Sequence, residues 1–199
     1  MRALIYFPII HSHKDLGTLD KRVSDLRTDE QEDKYLDATE HFWKMIATTI
    51  EDLELDYSHL RLYQDGLPVC GKENEIVAEV AESAGSQNFK LLQKLNQKGA
   101  VLMGTEAPEL LVQEHALMTQ LLKLGEPTEI SLKTAQELLN KRDDYIAQRI
   151  DKTLQDNEMG LLFLGLMHNI EKKLPQDIVL IQPFGKLPGQ AGEASSTSR

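Results

Sequence analysis

Short apolar runs alternate along the chain with longer stretches in which apolar residues recur at three-to-four spacing. Leu4-Ile5-Tyr6-Phe7-Pro8-Ile9-Ile10 opens the series as a strand-like run. His59-Leu60-Arg61-Leu62-Tyr63 alternates as a second strand and ends in the turn Gln64-Asp65-Gly66-Leu67-Pro68. Ala100-Val101-Leu102-Met103, then Leu161 to Leu164, then Asp177-Ile178-Val179-Leu180-Ile181 supply three more. Between these runs the spacing predicts helices. One covers residues 33–56 and carries Tyr35, Leu36, Phe42, Trp43, Ile46, Ile50 and Leu53. Two shorter ones carry Ile76, Val77, Val80 and Ala81, then Phe89, Leu92 and Leu95, with Gly99 as a C-cap. A fourth begins at Pro108 and runs to Leu124. A fifth covers residues 131–156, with an interruption expected near Asn140.

Strands alternating with crossover-length helices predict an α/β fold: a single domain with a mainly parallel sheet of about five strands and helices on both faces. The domain is expected over residues 1–184. Residues 185–199, rich in Gly, Pro and Ser, are expected to form a disordered tail. The polar residues 11–34 read as a long loop over the first strand exit, a place where loops are often functional.

Charge and cysteine content narrow the class. The chain of 199 residues has 32 acidic against 22 basic side chains, a formal net charge of −10. Phosphate backbones and anionic lipid need a basic face, so nucleic acid and membrane surface are not expected partners. Cys70 is the one cysteine, so no internal disulfide forms, in keeping with a reducing, cytoplasmic setting. The apolar start is short, contains Pro8 and lacks a small-residue cleavage site, unlike a secretion signal. No stretch approaches the roughly 20 apolar residues that span a bilayer.

Parallel strands deliver their carboxyl ends to one edge, where open α/β sheets bind ligands. The predicted exits offer His11 and His13, Asp65, Glu106, and His168 of Gly165-Leu166-Met167-His168. Imidazoles and carboxylates are typical ligands for zinc, manganese or iron, and a bound metal would generate a nucleophilic water. Without metal, a His–Glu pair can act as base and orienting partner. Plainer roles compete with these. A histidine after a strand caps a helix or bonds a carbonyl, Glu106 favours the start of the next helix through its dipole, and Asp65 before Gly66 suits a turn. Arg142 could reach a carboxylate or an anionic substrate group, or lie exposed. Asp143 and Asp144 read as dipole partners in an early helical turn. His41, His59 and His115 read as structural or exposed. The phosphate-binding glycine loops and the G-x-S-x-G elbow are missing.

Three pieces of the chain resemble the superfamily that groups TraB, ChaN, erythromycin esterase-like and Tiki proteins. Gly165-Leu166-Met167-His168 resembles its G-x-x-H after a strand, and Gly104-Thr105-Glu106 its strand-ending Gly-x-Glu. Arg142-Asp143 resembles its Arg-Asp/Asn at the opening of a helix. The family's other G-x-x-H corresponds here to Pro8-Ile9-Ile10-His11, without the glycine. The resemblance implies an α/β core with a site of His11, Glu106, Arg142 and His168. It implies a hydrolase acting on a small molecule or peptide bond, either dependent on a divalent metal held by His11, Glu106 and His168 or independent of metal. Members like ChaN imply the alternative of haem- or iron-related binding without turnover.

Overall fold

A computed structural model describes residues 1–10, 28–124 and 128–185. Its sheet has five parallel strands: β1 (Arg2–Ile9), β2 (Leu60–Gln64), β3 (Val101–Met103), β4 (Met159–Gly165) and β5 (Ile178–Ile181). Their order across the sheet is β3-β2-β4-β1-β5. Each crossover carries helix. The helices are α1 (Asp29–Asp52), α2 (Glu73–Ser83), α3 (Gln87–Gln97), α4 (Pro108–Leu124) and α5 (Glu129–Thr153). The expected single α/β sheet with helices on both faces is what forms.

Side-chain alternation along the strands divides the core in two. Ile5, Phe7 and Ile9 of β1, with Leu161 and Phe163 of β4, pack on Trp43, Ile46 and Ile50 of α1, Val77 of α2 and Leu92 of α3. Leu4 and Tyr6, with Leu162 and Leu164, face the other way onto Ile146 and Ile150 of α5. The register aligns Phe7 with Phe163, and their rings stack with centroids 5.5 Å apart. Being buried on both faces, β1 and β4 read as continuous apolar runs rather than alternating ones. Helix α4 packs on α5.

The helices differ from the sequence reading: α1 spans Asp29–Asp52 rather than 33–56, and α5 spans Glu129–Thr153 rather than 131–156 with a break. Helix α1 starts at Asp29, inside the segment expected to be loop. Thr28 and Gln31 form a reciprocal capping box there, which fixes the start ahead of the first apolar residues. Helix α5 runs unbroken through Asn140. Its polar residues at that point face buried partners, so the loss of apolar spacing is not a break. Residues 11–27, the Gly125-Glu126-Pro127 joint and the expected tail from residue 186 lie outside the described residues.

Candidate functional site

All five strands run the same way, so β1, β2, β3 and β4 end at one edge of the sheet, and the polar side chains beyond their ends meet there. Asp65 directly follows β2. Its backbone N–H donates to the Phe163 carbonyl at 2.8 Å, which holds Asp65 against β4. Gly66 then turns the chain with φ +74°, a conformation that suits glycine. Beyond β3, Gly104 lies close against the next loop. A Cβ on it would come within 2.6 Å of the Val69 Cα, so only glycine fits without displacing backbone. Thr105 Oγ1 accepts from the Gln64 N–H at 2.8 Å, and Glu106 pairs in a parallel bridge with Pro68. This lacing turns the Glu106 side chain inward, where it is fully buried.

Arg142 and Asp143 lie mid-way along α5, not at its opening. Leu138, Arg142, Ile146 and Ile150 follow one another at four-residue steps on the buried side of the helix. Arg142 therefore points at the sheet edge. Its Nε donates to Glu106 Oε2 at 2.5 Å and its Nη2 to Glu106 Oε1 at 2.7 Å, a bidentate pair. Nη2 also donates to Asp65 Oδ1 at 2.7 Å, and Nη1 donates to Glu114 of α4. The Gly66 N–H donates to Glu106 Oε1 at 2.7 Å.

His168 is reached through a tight turn after β4, closed by its N–H donating to the Gly165 carbonyl at 3.1 Å. Its Nδ1 lies 2.6 Å from Asp143 Oδ1, and the other oxygen of Asp143 accepts from the Asn169 N–H at 3.0 Å. Its Nε2 faces Asp65 Oδ2 at 3.5 Å. That same Oδ2 accepts from the Gly165 N–H at 2.8 Å. A continuous chain of charge thus runs Glu106–Arg142–Asp65–His168–Asp143.

The environment sets the protonation of these groups. Burial disfavours a charged His168. The hydrogen bonds to Asp143 and Asp65, with the Asp65 charge, outweigh it and raise the imidazole to about 10. His168 is therefore an imidazolium near neutral pH. Burial also opposes charge on Arg142, and the hydrogen bond and charge of Glu106, with the charges of Asp65 and Glu114, raise it further above its ordinary value. Glu106 is pushed up by burial and by the Asp65 charge, against the pull of Arg142.

A cleft of about 600 Å³ opens over this cluster. Asp65, Arg142 and His168 form its polar floor, with Glu114 and His115 of α4 beside them. Its walls are apolar: Ile9 and Ile10 at the end of β1, Phe89, Leu111, Met118, Leu139, Leu166 and Met167. Tyr35 of α1 completes the lining. Glu106 is not part of the surface. It lies behind Arg142.

No family model, curated protein or solved structure matches this chain. The site stands on its own geometry.

Of the four expected site residues, Glu106, Arg142 and His168 come together. His11, like His13, lies outside the described residues. Among the described residues no group of three or more His, Cys, Asp or Glu side chains could hold a metal ion. Two participants were read otherwise in the sequence. Asp65 is not a turn residue alone, because its carboxylate joins Arg142, the Gly165 N–H and His168. Asp143 is not a dipole partner in an early turn, because it lies mid-way along α5, buried, and holds His168. Glu114, which joins Arg142 from α4, has no signal in the sequence that sets it apart from other helix-surface acids. The signal for Asp143 was present: Leu139 and Ala147 stand four residues to either side, on the same side of the helix. His41 and His115 are exposed, and His59 pairs with Asp56 away from the cleft.

Proposed function

We propose that this chain is a hydrolase acting on an ester or amide bond of a small molecule or peptide, working by proton transfer between Asp65 and His168. The observation that carries the reading is the facing of His168 Nε2 and Asp65 Oδ2 across 3.5 Å on the floor of the cleft. Each is held from behind, His168 by Asp143 and Asp65 by Arg142 and the Gly165 N–H. Fixed partners of this kind let an acid and a base act without reorganising. Water held against Asp65 from the cleft side attacks the carbonyl carbon and gives one proton to Asp65. The imidazolium gives its Nε2 proton to the departing alkoxide or amine. The proton on Asp65 then passes to Nε2, restoring both groups. Glu106 and Arg142 position Asp65 and touch no substrate in this scheme. The resemblance to the TraB, ChaN, erythromycin esterase-like and Tiki proteins supports the same reaction class. The acidic charge balance supports a substrate other than nucleic acid, and the single cysteine supports a cytoplasmic setting.

In the metal-dependent form of the reading, zinc, manganese or iron would be held by His11, Glu106 and His168, and the donor atoms of Glu106 and His168 are already engaged. Both Glu106 oxygens already accept from Arg142 or Gly66, and His168 faces a carboxylate from each ring nitrogen. Haem ligation by His168 meets the same obstacle.

Protein purified without a polyhistidine tag is assayed against a panel of esters, lactones and peptides, with elemental analysis alongside. Asp65→Asn and His168→Gln are each expected to lower kcat/KM by roughly 100-fold or more, with the protein still folded. Turnover unaffected by either substitution would overturn the proton-transfer scheme. Stoichiometric metal would shift the reading to the metal-dependent form, and a Soret band on haem titration that His168→Ala abolishes would shift it to ligand binding.

A further inference from the structure

The cleft combines an apolar wall with a floor of unbalanced charge, and the balance decides what can enter. Asp65, Glu106, Glu114 and Asp143 surround one guanidinium and one imidazolium. The cluster is negative even when Glu106 carries a proton. The two cations are also committed. Among the described residues all four hydrogen bonds of Arg142 go to carboxylates, out of the five N–H groups that a guanidinium offers. His168 faces carboxylates from both ring nitrogens. A carboxylate or phosphate entering the cleft would give up its hydration and find three fixed acids around the arginine. His115, exposed on α4, is the only other basic side chain lining the cleft among the described residues.

Glu114 stands apart from the other acids. Its side chain is 38% exposed, whereas those of Asp65, Glu106 and Asp143 are buried. It lines the cleft beside Leu111 and Met118, one helical turn away on α4 in either direction. A cation reaching Glu114 would lay its apolar part on those neighbours.

We propose that the cleft selects ligands with an apolar body and a protonated amine, which Glu114 receives, and rejects their anionic counterparts. The proposal names the substrate class of the hydrolase site above and rests on that cleft being the binding site.

The test uses three probes with one ring system: 2-(2-naphthyl)ethylamine, 2-(2-naphthyl)ethanol and 2-naphthylacetate. Their binding to the full chain is measured by calorimetry. The amine is expected to bind at least about 10-fold more tightly than the carboxylate, with the alcohol between them. Glu114→Gln is expected to remove most of the amine's advantage over the alcohol while alcohol affinity stays within about twofold, which reports an intact cleft. His115→Ala is expected to leave the order unchanged. Carboxylate binding equal to or tighter than amine binding would overturn the proposal, as would failure of all three probes to bind or an amine advantage untouched by Glu114→Gln. Naphthyl esters bearing ammonium or carboxylate groups separate this from the hydrolase reading. The binding order without cleavage of any ester keeps the charge preference and removes the hydrolase. Cleavage indifferent to charge does the reverse.

Discussion

Removing the Arg142 guanidinium would take from buried Glu106 the cation that it pairs with and leave Asp65 to the His168 imidazolium. Arg142→Met is therefore expected to destabilise the fold by about 3–5 kcal/mol in urea unfolding. The loss should shrink at acid pH, where the Glu106 carboxylate can take a proton. The pH response of His168 has the opposite direction. Its imidazole is held protonated up to about pH 10, against 6.5 ordinarily. Its contribution to stability is then complete below about pH 6.5 and is lost as pH rises toward 10. Wild-type protein should lose more stability than His168→Gln between pH 7 and 10; parallel curves would remove the imidazolium from the account. At this scale the sequence was half legible. Gly-x-x-His and Gly-x-Glu stand out because a glycine and a chemical residue follow an apolar run. Asp65 does not, since Asp before Gly is also the commonest look of a turn. What separates the two roles is Arg142, which comes 77 residues later.

Helix α5 shows why the presence of an element was easier to read than its buried face. Its length and the caps around it follow from helix-forming composition and from Thr128, whose hydroxyl accepts from the Ser131 N–H. The break expected at Asn140 arose because Arg142, Asp143 and Asp144 interrupt the apolar spacing. Two of those three are on the buried side, so the helix keeps its inner face through charge instead of hydrocarbon. Its two halves should differ in stability. Ile130 and Leu132 are exposed, while Ile146 and Ile150 are fully buried on the sheet. Amide hydrogen exchange is expected to be faster over residues 130–137 than over 142–152, by at least about 10-fold. Uniform protection along α5 would show that the first half has packing partners beyond those described. No helix among the described residues is long and apolar enough to cross a membrane.

Across the whole molecule the two cores share β1, β2 and β4, so neither can be lost alone. Unfolding followed by far-ultraviolet and near-ultraviolet dichroism is expected to give one coincident transition. Separate midpoints would mean that the α5 side melts on its own. Strand order carries a further consequence. β4 is the fourth strand along the chain yet sits between β1 and β2, which touch each other nowhere in the sheet. During synthesis β1 must wait, apolar and unpaired, until the ribosome has delivered the fourth strand, whereas β2 can pair with β3 beforehand. A nascent chain of this topology keeps that apolar strand open to aggregation for most of its translation.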